Sequence, residues 1–269
     1  MVAVPDSSMV INLSPREIRE AVRSGKLTRT SRGMAPGYTQ ASLVVLPSRY
    51  AYDFLVFAQR NPKPCPILEV LDKGSYESVY AAPGADVRTD LPKYRVYRDG
   101  AVECEVTDIK DYWNDDLVAF LLGCAMSFDG ALERAGIPNR HVEEGRSGSM
   151  YKSNIPCRPA GVFRGNMVVS MRPYSAAQAI RVVQITTRFQ RTHGEPVHIG
   201  DPSAIGIKDL SKPDYGEPVS IREGDVPVFW ACSVTPQAIA TSVKLPFMIT
   251  QSPGHMMITD IRDDEITVL

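Results

Sequence analysis

From Met167 onward the chain alternates strand-like runs with helix-starting signals, and this alternation limits the fold more than any other feature. The β-type run 167–171 leads into a helix over 175–189, opened by a capping box between Ser175 and Gln178. A strand at 197–199 and another at 226–231 follow, then a helix beginning Thr235-Pro236-Gln237, then strands at 247–250 and 256–259. Such alternation predicts an α/β class protein with a mixed, largely parallel sheet covered by helices.

The first half carries similar local signals. Ser14 can cap a helix, Pro15 suits its first turn, Glu17 completes a capping box, and Ile18, Ala21 and Val22 form the buried stripe before Gly25. A strand is expected at 41–46, a second helix from Ser48, and a further strand at 67–71. Between them, N-P-K-P-C-P over 61–66 must be a rigid, extended connection, because each proline biases the residue before it away from helix. The pattern over 115–135 predicts a helix with Leu117, Phe120, Leu121, Cys124, Phe128, Leu132 and Ala135 near one face, and Gly123 marks a break or a close approach. Residues 140–154 read as a long polar loop, expected to wall or cover a site. There is no internal repeat, so residues 1–269 are read as one unit of two intimately packed subdomains, with a discontinuous boundary near 146–166.

With 43% apolar and 23% charged residues, disordered and fibrous classes are excluded. Thirty basic against 31 acidic residues leave a net charge of −1 with no long run of either sign, so neither nucleic acid nor a membrane is an expected partner. The longest apolar stretches, 42–46 and 117–122, fall far short of the roughly 20 residues that span a bilayer. The start, M-V-A-V-P-D-S-S-M-V, shows no basic region followed by an apolar core. Five widely spaced cysteines without a C-x-x-C pair point to free thiols in a reducing compartment. A soluble, cytoplasmic protein is expected.

Three polar motifs follow directly on expected strands: Arg172-Pro173, His198-Ile199-Gly200-Asp201-Pro202, and Cys232 through Gln237. In a parallel sheet the strand ends open onto one crevice, so Arg172, His198, Asp201 and the helix start at Thr235 are expected to face it together. Helix N-termini offer free N–H groups there, and a carboxylate is the natural guest. The bland readings carry weight. His193 and His198 bracket a turn in which each ring can simply bond a loop carbonyl, and Cys124 and Cys232 suit small buried thiols. His-x4-His near Asp201 is a weak metal signal, so no metal and no organic cofactor are expected.

Read together, N-P-K-P-C-P (61–66), D-L-P-K-Y-R-V-Y-R-D-G (90–100), F-L-L-G-C-A-M-S-F (120–128), R-H-V-E-E-G (140–145), M-R-P (171–173), H-G-E-P-V-H-I-G-D-P (193–202), P-V-F-W-A-C-S-V-T-P-Q (227–237) and S-P-G-H-M-M-I-T-D (252–260) resemble the bacterial hydro-lyase family that shares its domain with mitochondrial D-glutamate cyclase. The likeness runs in order over nearly the whole chain. It implies a lyase that removes water, with closure of D-glutamate to 5-oxo-D-proline as one such reaction. Gln251 stands where the family commonly has histidine, Ser233 where it has glycine, and residues 146–150 replace a more apolar loop.

Cyclising glutamate requires a base for the ammonium, a cation or N–H group for the developing oxyanion, and an acid for the leaving oxygen. His198 or Asp201 is the candidate base or acid, Glu144 the alternative acid, and His141 a further proton-transfer candidate beside it. Arg172, Thr235, Gln237 and Cys124 are the candidate substrate contacts. The expected partner is a small carboxylate or amino acid, and self-association is left open. Two other readings stand beside cyclisation: α,β-elimination of water from a hydroxy or amino acid, and a non-catalytic binding protein for a small carboxylic acid.

Overall fold

The computed structural model describes residues 13–268; the ten residues inspected above for a leader lie outside them. Strand β1 (Tyr38–Pro47) is the pivot of the larger sheet. Along one edge its residues 41–47 pair with β7 (Leu117–Gly123), and along the other it pairs with β13 (Phe247–Gln251) and β14 (Met257–Arg262). Beyond β7 lies β2 (Ile67–Val70), and beyond β13 lie β5 (Tyr94–Arg98) and β6 (Ala101–Val106). A second sheet runs in the order β10 (His198–Ile199), β12 (Asp225–Ala231), β9 (Asn166–Ser175), β8 (Ser149–Pro156) and β11 (Tyr215–Gly216), and β3 (Glu77–Ser78) pairs with β4 (Ala85–Asp86).

Every strand pairing among the described residues is antiparallel. This overturns the expectation of a largely parallel sheet. A helix between two strands makes them parallel only if it carries the chain back to its starting edge. Here β12 comes back beside β9 in the opposite sense, with Asp225 opposite Ser175 and Ala231 opposite Val169. Strand ends therefore open onto both edges, and the single crevice expected from a parallel sheet does not form.

The larger sheet is buried on both faces. In β7, Leu117, Ala119 and Leu121 enter one core while Val118, Phe120 and Leu122 enter the other. The second sheet supplies both cores in the same manner, through Val228 and Trp230 on one side and Phe229 and Ala231 on the other. Phe120 meets Phe54 edge to face at 4.8 Å between centroids, and truncating it to alanine would cost about 3–5 kcal/mol.

The helix expected over 115–135 is in fact β7, a 3-10 turn (Ala125–Phe128) and a short helix α3 (Asp129–Arg134). A strand covered on both faces has no polar alternation, so its apolar run reads like a buried helix. The loop expected over 140–154 is likewise one helical turn, α4 (Arg140–Glu143), followed by β8. Where capping is local, expectation and structure agree. Helices α1 (Pro15–Arg23) and α5 (Ala176–Thr186) both begin with complete capping boxes, Ser14 with Glu17 and Ser175 with Gln178. Helix α2 (Ser48–Arg60) packs Phe54 and Phe57 inward, and α6 (Thr235–Ser242) follows β12. No helix among the described residues is long and apolar enough to cross a membrane.

Candidate functional site

Elements of both sheets surround a small, open-mouthed cleft. Its floor is tied together by Ser42 Oγ, which donates to Ser233 Oγ at 2.7 Å, and by the Leu43 N–H, which donates to Gln251 Oε1 at 2.8 Å. Cys124 and Cys232, each just past a strand of one sheet, border the same space.

Arg172 reaches the cleft from β9. Its guanidinium lies 4.9 Å from the Phe128 ring centroid and 5.6 Å from that of Trp230, and Nη1 sits 2.6 Å from Asp129 Oδ1 and donates to Asn139 Oδ1 at 3.1 Å. Burial works against its charge, but Asp129 and Tyr174 together more than offset this and hold the arginine's pKa above its ordinary value. Arg32 also lines the cleft. It donates to the carbonyls of Arg146 and Ser147 and makes no ion pair among the described residues. Burial lowers its pKa.

Two histidines complete the polar lining. His141 is buried against Gly148, whose added Cβ would lie 3.7 Å from the ring. Burial, then the charges of Arg172 and Arg32, push its pKa down to about 2. His193 is 1% exposed and holds a left-handed backbone with φ of 92°. Its Nδ1 hydrogen-bonds the main-chain carbonyl of Lys63; a carbonyl only accepts, so Nδ1 carries the proton. Burial brings its pKa down to about 4. Both imidazoles are thus neutral near pH 7.

Several buried polar atoms around the cleft lack a hydrogen-bonding partner: Ser149 Oγ, Ser170 Oγ, His193 Nε2 and Gln251 Nε2. Asp129 Oδ1 joins them in hydrogen-bond geometry, although its 2.6 Å approach to Arg172 still pairs the two charges. Buried polar groups are rarely left unpaired in native proteins, so their convergence on one cavity marks a place made for polar atoms from elsewhere. Burial raises the Cys124 thiol to about 11 and the Cys232 thiol to about 12, which favours the protonated form of both near neutral pH. Among the described residues no three His, Cys, Asp or Glu side chains gather as metal ligands.

Of the residues singled out from sequence, Cys124, His141 and Arg172 line the cleft. Thr235 and Gln237 lie buried beside it but are occupied within the fold. Thr235 Oγ1 donates to the Cys232 carbonyl at 2.7 Å, and Gln237 bridges the Tyr97 hydroxyl and the Gln251 carbonyl. His198 and Asp201 lie outside. The His198 ring bonds the Asp201 carbonyl at 2.7 Å, and Asp201 caps the turn at Ser203, whose hydrogen bonds lower its pKa. Glu144 holds the Ser220 hydroxyl and N–H, which keep it ionised, and it too stands outside the lining. Of the segment 140–154, His141 and residues 147–150 form part of the wall. Of the sequence positions that depart from the family pattern, Gln251, Ser233 and residues 147–150 of the segment 146–150 border the cleft, while Arg146 does not line it.

Sequence reasoning passed over Arg32 and Asp129, which stand in no recognisable motif. It weighed His193 as a turn residue, and only its place in H-G-E-P-V-H drew notice.

Residues 118–260 match the family described as D-glutamate cyclase. A Thermoanaerobacter protein named "Putative hydro-lyase" is 59% identical over 261 residues, covering 97% of this chain and 98% of its own. A Bacillus subtilis protein named "Putative hydro-lyase YcsI" is 56% identical over 257 residues, covering 96% and 100%. A Stutzerimonas stutzeri protein named "Putative hydro-lyase" is 55% identical over 258 residues, covering 96% and 97%.

Proposed function

Because the chain belongs to the bacterial hydro-lyase family that carries the D-glutamate cyclase domain, we propose that its cleft removes water from a small carboxylic acid, with D-glutamate closing to 5-oxo-D-proline as the leading reaction. One observation carries this reading: two guanidiniums, one carboxylate, two neutral imidazoles and several unpartnered polar atoms share a single cavity. D-Glutamate offers two carboxylates and one ammonium, which complement Arg32, Arg172 and Asp129 in number and sign.

The charge pattern also supplies the proton chemistry. Both imidazoles lie in the field of Arg172, and His141 in that of Arg32 as well, which makes them poor bases; a bound carboxylate offsets that field and raises their basicity. In the cyclisation the nitrogen loses two protons, the C–N bond forms, and the departing oxygen takes both protons as water. A histidine that relays them begins and ends neutral. Arginine and the serine hydroxyls meet the charge that develops on the carboxyl oxygens.

Elimination of water across adjacent carbons of a hydroxy acid would use the same groups and yield an unsaturated acid. Product analysis separates the two. Purified protein is incubated with D-glutamate, L-glutamate and a panel of hydroxy acids, and each mixture is examined for 5-oxoproline and for unsaturated or keto acids. Formation of 5-oxoproline from D-glutamate supports the leading reading. Turnover of hydroxy acids alone moves the reaction to elimination, and binding without turnover of any acid leaves only a carboxylic acid binding protein.

A further inference from the structure

We infer that His193 is the proton-transfer group of this cleft, and that the carbonyl of Lys63 is its positioning partner. The inference rests on the cleft being the site of reaction, and goes beyond it by choosing between two histidines and fixing which nitrogen reacts.

The His193 ring is the better placed of the two. Its Nδ1–H is committed to the Lys63 carbonyl, so the lone pair on Nε2 is the free one, and Nε2 is buried and unpartnered on a residue that lines the cleft. His141 has no such partner to fix its tautomer among the described residues. A histidine whose second nitrogen is oriented by an acceptor is the arrangement that general-base chemistry uses.

The partner itself cannot drift. Lys63 stands between Pro62 and Pro64, whose rings lock the local backbone. Asn61 anchors this segment at one end, donating to the carbonyls of Phe57 at 2.7 Å and Arg158 at 2.8 Å, while the Pro66 carbonyl accepts from the Gly123 N–H at 2.8 Å at the other. The Lys63 ammonium then reaches Glu195, two residues past His193, at 2.7 Å from the carboxylate and 3.0 Å from the carbonyl. The segment and the turn bearing His193 are therefore clamped together twice, once by main chain and once by side chain.

The left-handed backbone of His193, with φ of 92°, is one that histidine adopts more readily than most side chains, as asparagine does. On the leading reaction, Nε2 takes each of the two departing ammonium protons in turn and passes it to the leaving oxygen, so the ring is neutral again when water and 5-oxoproline leave.

Two variants test this. His193→Asn tolerates the left-handed backbone and keeps an amide donor for the Lys63 carbonyl, but has no group to accept a proton. His193→Gly removes the ring and also suits that backbone. With the acid that the substrate panel identifies, His193→Asn should lower kcat by about 10²–10⁴-fold with KM changed little, and His193→Gly should be inactive until imidazole is added, which restores part of kcat. Ring ¹⁵N spectra of the wild-type protein should place the His193 proton on Nδ1. Near-normal kcat in His193→Asn, absence of imidazole rescue in His193→Gly, or a proton on Nε2 would each overturn the assignment. Arg32→Ala separates this failure from failure of the cleft reading. Loss of substrate capture in Arg32→Ala with normal kcat in His193→Asn rejects His193 alone; wild-type kinetics in both rejects the cleft, and an empty panel rejects both.

Discussion

His193 Nδ1 donates to the main-chain carbonyl of Lys63, 130 positions earlier in the chain, so a cleft residue is aimed by a distant proline-bound segment. The turn that carries it also rests on Gly123. A Cβ at that position would lie 2.1 Å from the Arg191 carbonyl oxygen and 2.9 Å from Thr192 Cγ2. Gly123→Ala is predicted to destabilise the protein by at least about 1–3 kcal/mol, as overpacking commonly does, and to reduce turnover through displacement of His193. Thermal unfolding and kinetics of the variant check both; an unchanged melting temperature would mean that the turn yields freely.

Arg172 and Asp129 should behave as a coupled pair. Removing either partner leaves a buried charge uncompensated, which costs about 3–5 kcal/mol, and the double variant should lose clearly less than the sum of the singles. Arg172→Lys keeps the charge but gives up the planar contacts with Phe128 and Trp230, so it should lower both melting temperature and substrate capture. Denaturant unfolding of the four proteins in the cycle measures the coupling. Strict additivity would contradict it.

Stability should peak near pH 6.5. His141 and His193 are held neutral by burial, at about 2 and about 4, so the unfolded chain binds more protons than the folded one below about 6.5, and stability falls as the pH drops through that range. Asp263 acts in the opposite sense. Burial raises its carboxyl to about 7, so between about 4 and 7 the folded state keeps a proton that the unfolded chain has lost, and stability falls as pH rises. Two histidines outweigh one carboxyl on the acid side; just above 6.5 Asp263 acts in the opposite sense, and at more alkaline pH the raised Cys124 and Cys232 thiols act in the same sense as Asp263. Asp263→Asn should therefore raise the melting temperature more at pH 8 than at pH 5. Equal shifts at both would show that the carboxyl ionises normally.

Local chemistry was readable from sequence where it is satisfied locally. The capping boxes at Ser14 and Ser175 involve residues three apart, and both helices start where expected. Pairing direction was not readable, because the partner of β9 is β12, more than fifty residues away, and nothing in either strand encodes their relative sense. β8 escaped notice since its inward positions are Ser149, Tyr151 and Ser153, so the two-residue period is present without the usual aliphatic signal. The same holds for the site. Cys124, His141 and Arg172 stand in conspicuous motifs, whereas Arg32 is brought to the cleft only by its hold on the carbonyls of Arg146 and Ser147.

If this cleft receives the carboxylate of the substrate, Arg32 tests it most directly, because it lines the cleft without an ion-pairing partner among the described residues. The measurement is the steady-state formation of 5-oxoproline from D-glutamate by wild type and Arg32→Ala, with the melting temperature of each recorded alongside. Conversion by the wild type and a rise in KM of at least about tenfold in the variant are expected for the loss of one charge-assisted contact. Wild-type kinetics in a folded Arg32→Ala protein would contradict carboxylate capture by this cleft.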